Sequence, residues 1–167
     1  MHIPIGGAVM QPYIDVRTIT LAAARKVVSS AQQFAHVIGV RPAIAVLDRA
    51  GELVTFDRLD GVPLLCVELA QDKAHSAIRF GMATHEWWPM IGSDPALVHG
   101  LAKLDRLVVF GGGVPLLDGG NTVGAIGVSG GSTDEDRAIA EAGEAAWRQL
   151  LAEPHESKQS RERRVDA

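Results

Sequence analysis

The sequence predicts an α+β fold, with helices packed on a sheet of antiparallel hairpins. Two observations carry this. First, two pairs of short apolar runs each flank a cluster of turn residues. Residues 43–47 and 53–56 flank Asp48-Arg49-Ala50-Gly51, and residues 114–117 and 123–128 flank Asp118-Gly119-Gly120-Asn121. Glycine and asparagine accept the positive φ that tight reversals need. Second, three longer segments at 18–38, 63–80 and 133–151 repeat their apolar residues at helical spacing.

Residues 1–15 read as an irregular arm. In the first helix, 18–38, Leu21, Ala24, Val28, Ala31, Ala35 and Ile38 share a face, and Gly39 is a plausible stop. The first hairpin follows, with Gly51 suited to its left-handed position. The second helix opens near Pro63, where a missing N–H costs little. Residues 86–91 predict a short helical turn. Residues 94–101 predict another, with Asp94 as N-cap and Pro95 behind it. Residues 107–110 predict a further strand, and the second hairpin follows. Ser132 with Glu135 three residues on fits a capping box for the last helix. There Ile139, Ala142, Ala146 and Leu150 share a face. Residues 16–152 thus form one domain. The tail 153–167, charged and with no periodic apolar face, reads as disordered.

A length of 167 residues suits a single domain that buries enough surface to need no staples. The net charge is −4, and the tail's four acids and four bases cancel, so the body carries all of it. Nucleic acid needs a basic face, and is disfavoured as a partner. Cys66 is the lone cysteine, so no disulfide or multi-thiolate metal site forms within the chain. No apolar run approaches the roughly 20 residues of a membrane span. The first residues lack the basic and apolar regions of a signal peptide, which leaves the cytoplasm as the expected compartment.

Gly112-Gly113-Val114-Pro115 and Val123-Gly-Ala-Ile-Gly-Val-Ser-Gly-Gly131 resemble the GlcG/HbpS family of haem-binding and haem-degrading-like proteins. The resemblance covers residues 17–150 or so. It also takes in an Asp48-x-x-Gly51 hairpin, an Arg58-x-Asp60-Gly61 turn, Lys73-Ala74 on a helix, and Phe80 with Thr84. His75 and Ser76 depart from the aromatic and threonine common in the family. The resemblance implies a profilin-like layout, a five-stranded antiparallel sheet flanked by helices. It also implies haem as a ligand, or another apolar small molecule. No Cys-x-x-Cys-His attachment exists, so such haem would be held non-covalently, with a histidine such as His75, His85 or His99 as its ligand or with none.

Four clusters are candidates for chemistry. Arg58 and Asp60 stand at the junction of a strand and the second helix, where Arg58 could clamp a carboxylate or merely rivet the junction. Lys73 falls on one helical face with Cys66, Leu69, Ala77 and Phe80. Its ammonium could stand at a pocket rim, be desolvated toward neutrality, or pair with Asp48 or Asp57. His75 and His85 are candidate proton-transfer groups, because imidazole titrates near neutral pH. Met82, Trp87 and Trp88, with Phe80, supply an adaptable apolar lining for a flat ligand, or an oligomer interface or core plug. The glycine runs do not read as phosphate loops. Gly111-Gly112-Gly113 leads into a strand, and Asp134, Glu135 and Asp136 would repel an anion after Gly130-Gly131.

Two functions fit these residues. One is a binding protein for haem or another apolar molecule, with Arg58, Cys66, Leu69, Phe80, Met82, Trp87 and Trp88 as contacts. The other is a cofactor-independent lyase or isomerase acting on a small apolar metabolite such as a terpene epoxide. Lys73, His75, His85 and Asp60 would then be its acid and base groups. A third, blander reading is an assembly subunit without chemistry of its own. The unusually placed tryptophans predict a homo-oligomer.

Overall fold

The computed structural model describes residues 12–153. Its elements run α1 (Leu21–Val37), β1 (Ala43–Asp48), β2 (Leu53–Arg58), α2 (Leu65–Phe80), a 3₁₀ turn (Thr84–Glu86), α3 (Trp87–Ile91), α4 (Pro95–Leu101), β3 (Gly113–Asp118), β4 (Asn121–Ser129) and α5 (Thr133–Ala152). The four strands form one antiparallel sheet in the order β2-β1-β4-β3. The α+β class holds. The expected arm through residue 11 and the expected tail from 154 lie outside the described residues.

The fifth strand is a correction. Residues 107–110 are apolar enough for a strand but do not join the sheet. Their backbone is claimed by α2 instead: Val108 N–H donates to Ser76 Oγ at 2.8 Å. A strand needs its N–H groups free for a neighbouring strand, and this one is spent on a side chain.

Helix bounds shift for similar reasons. α1 starts at Leu21, not at residue 18, because Ile19 N–H donates to Val123 O at 2.9 Å and Thr20 caps the helix through Ala23 N–H. The capping box at the start of α5 is formed as the sequence predicts, with Ser132 and Glu135 exchanging hydrogen bonds. The buried stripe of α5 is turned from the expected one. It consists of Asp136, Ile139, Ala140, Gly143 and Trp147.

The sheet has two unlike faces. One carries Ile44, Val46, Val114, Leu116, Ile126 and Val128 and packs under α1 and α5. The other carries Ala43, Ala45, Ala125, Gly113 and Gly127 with Leu47, and α2 lies on it. Small residues let the α2 backbone sit almost on the strands. A Cβ on Gly127 would overlap the Ala70 carbonyl, and one on Gly113 would overlap that of Lys73. The middle of α2 is thereby fixed against the sheet, and its outward side is left to build a site.

Candidate functional site

Two arrangements of titratable groups grow out of α2, on opposite sides of it. Lys73 and His75 are two residues apart, so their side chains leave the helix about 200° apart.

Lys73 is 1% exposed and reaches the start of α5. Its Nζ donates to Asp136 Oδ2 at 2.7 Å and to Val128 O at 2.9 Å, and lies 5.1 Å from the centre of the Phe110 ring. Asp136 also accepts from Gly131 N–H at 2.9 Å. The glycine runs make room for this pair. A Cβ on Gly112 would stand 2.8 Å from Lys73 Nζ, and one on Gly111 would stand 2.7 Å from Thr133 O. Burial pulls the Lys73 pKa down and pushes that of Asp136 up, while their mutual hydrogen bond opposes both shifts. The partner is therefore Asp136. The pairing with Asp48 or Asp57 does not form: Asp48 caps its own hairpin through Ala50 and Glu52 N–H, and Asp57 accepts from Gln32.

His75 faces the other way, into a cleft of about 210 Å³ between α2, the 3₁₀ turn with α3, and the segment from α4 to β3. Phe80, Trp87, Leu101, Leu104 and Leu107 form its apolar wall. Ser76, Arg79, Asp105 and Arg106 complete its lining. The Phe80 and Trp87 rings are tilted against each other, with centroids 4.4 Å apart. His75 is 8% exposed. Burial holds its pKa below the ordinary imidazole value. Arg106 and Arg79 add to this, and Asp72 opposes it. The imidazole is thus kept neutral, with a ring nitrogen able to accept a proton or ligate a metal.

The remaining candidates lie elsewhere. Arg58 and Asp60 are exposed at the far end of β2 from Gly51, where an added Cβ would stand 3.5 Å from the His75 ring. A six-residue strand puts them about 20 Å from that hairpin. Cys66 packs under β1 with Phe56, Val62 and Ala70. Leu69 and Met82 are half-buried outside the cleft, and Trp88 is exposed on α3. His85 Nδ1 and Trp87 Nε1 are buried with no hydrogen-bond partner among the described residues. Of the candidate residues, the cleft therefore gathers His75, Phe80 and Trp87, and Lys73, Asp60 and His85 do not line it. It adds Ser76, Arg79, Arg106 and the three leucines, which sequence reasoning missed. Ser76 and Arg79 had a readable signal, since they stand one and four residues after His75 on the same helix.

A haem group is a demanding occupant. The donor set fits it: a neutral imidazole, an apolar wall with two aromatic rings, and two guanidinium groups at the rim. The volume is below the roughly 300–1,000 Å³ of clefts that enclose a drug-sized molecule. A tetrapyrrole would enter by one edge and leave the rest outside.

Fold and cleft together define an α+β domain with helices on both faces of a four-stranded antiparallel sheet and one buried imidazole facing a cleft. The chain belongs to the haem-degrading protein HbpS-like family, whose pattern matches residues 19–145. It is 34% identical over 129 residues to an uncharacterised 15.0 kDa protein from the dhaT–dhaS intergenic region of Citrobacter freundii, covering 76% of this chain and 90% of that one. A double mutant of HbpS from Streptomyces reticuli superposes with a TM-score of 0.74 at 28% identity, covering 87% of this chain and 97% of the other. A PduOC:haem complex superposes with a TM-score of 0.70 at 27% identity, covering 77% and 94%. Among the described residues, no helix is long and apolar enough to cross a membrane.

Proposed function

We propose that the protein binds haem, or a related flat apolar molecule, non-covalently in the His75 cleft. The observation that carries this is a neutral imidazole facing an aromatic and leucine-lined wall. The similarity to HbpS and to a haem-bound PduOC domain supports it. Haem, when bound, would supply an iron that an imidazole nitrogen can ligate. His75 would provide that nitrogen, Phe80 and Trp87 would flank the ring edge, and the leucines would exclude water.

Titration of the purified protein with haemin tests the reading. A sharp, saturable Soret band is expected, and His75→Ala should shift or abolish it. A featureless, non-saturating rise in absorbance would overturn it. The acid–base reading lacks comparable support, because Lys73 is engaged by Asp136 and Asp60 stands at the far end of β2.

A further inference from the structure

Arg106 is the only non-glycine residue among the described residues with positive φ, at 62°. A side chain with a Cβ is disfavoured in that conformation, so something must hold it there. Three contacts do. Ser76 Oγ lies 2.9 Å from Arg106 O, Ser76 Oγ also accepts from Val108 N–H at 2.8 Å, and Asp72 Oδ1 accepts from Arg106 Nε at 2.7 Å. All three anchors come from α2, which is itself seated on the sheet without padding.

Asp72 engages only Nε. Neither terminal nitrogen of Arg106 has a hydrogen-bond partner among the described residues. The guanidinium is thus fixed along one edge and open along the other, at the rim of an apolar cleft. The open edge of a guanidinium matches a carboxylate in a two-bond fork. Its orientation is settled before a ligand arrives, so little side-chain freedom is lost on binding. Asp105 lines the same rim, which suits a single carboxylate better than a cluster of phosphates.

We infer that Arg106 is a preorganised carboxylate receptor, and that the cleft selects ligands joining a flat apolar body to a carboxylate. The inference rests on the binding reading above and adds the residue that sets its selectivity.

The test compares haemin with haemin dimethyl ester, which keeps the ring and iron and lacks free carboxylates. Wild type should bind haemin about ten-fold or more tightly than the ester, as expected for a charged hydrogen-bonded pair. Arg106→Gly and Arg106→Asn both tolerate positive φ and should keep the fold, with melting temperatures close to wild type. In both, the preference should collapse to about two-fold or less, mainly through weaker haemin binding. Equal binding of the two probes by wild type would overturn the inference and leave haem binding standing. A preference that survives in both variants would move the role to another cation and overturn it as well. Loss of cooperative unfolding in both variants would assign Arg106 to the frame of the fold instead. Failure of wild type to bind either probe would overturn this inference and the binding reading together.

Discussion

At the scale of single residues, the two titratable arrangements on α2 respond to perturbation in different ways. Lys73 is an ion-pair partner in the interior, so Lys73→Met leaves the Asp136 carboxylate without its cation. The expected cost is about 3–5 kcal/mol, a large share of the roughly 5–15 kcal/mol of a typical domain. Denaturant unfolding measures it, and Lys73→Met combined with Asp136→Leu should recover part of the loss because no charge is then stranded. His75 responds to pH instead. The unfolded imidazole takes up a proton near its ordinary value of 6.5, whereas the folded one resists it to lower pH. Between those two values the unfolded state holds more protons, so stability rises with pH across that window and is lost as pH falls through it. Melting temperature followed downward from neutral pH should fall, and His75→Gln should flatten that part of the profile.

At the scale of elements, the unlike faces of the sheet predict unlike tolerance. Gly127→Ala forces a methyl group into the Ala70 carbonyl, so α2 must lift or β4 must bend. A loss of more than about 3 kcal/mol is expected, in the range of overpacked cores and strained backbones. Gly119→Ala, at φ 57° in an open hairpin turn with nothing within 4 Å, should cost only about 1–2 kcal/mol. Calorimetry on the pair separates contact from conformation. The same contrast explains what could be read from the sequence. The hairpins at Gly51 and Gly119-Gly120, the Asp94 cap and the Ser132–Glu135 box were legible because each is settled within about five residues. The strand expected at 107–110 was misread because its N–H is captured by Ser76, some thirty residues earlier in the chain. Lys73 was legible as unusual, but its partner lies 63 residues away beyond two strands, and no local spacing announces it. Arg106 was missed for the same reason: its positive φ follows from contacts made by α2, not from its own neighbours.

At the scale of the whole molecule, several large apolar side chains remain uncovered. Leu64 and Leu65 at the start of α2 are 71% and 66% exposed, and Trp88 on α3 is 58% exposed. Symmetric association is the common way to cover such groups, and the proposed assembly is a homo-oligomer. Light scattering at micromolar concentration should give a mass that is a multiple of 17.7 kDa, and a monomer mass would refute it. The tie between Lys73 and Asp136 has a further meaning here, one of timing. It joins a helix on one face of the sheet to a helix on the other, and both charges stay hydrated until α2, β4 and α5 have closed around them. Bare charges gain nothing from partial closure, so the tie belongs after the folding barrier. It should leave the rate of folding almost untouched and slow the rate of escape from the native state. In this chain the buried pair acts as a latch on the native state's lifetime.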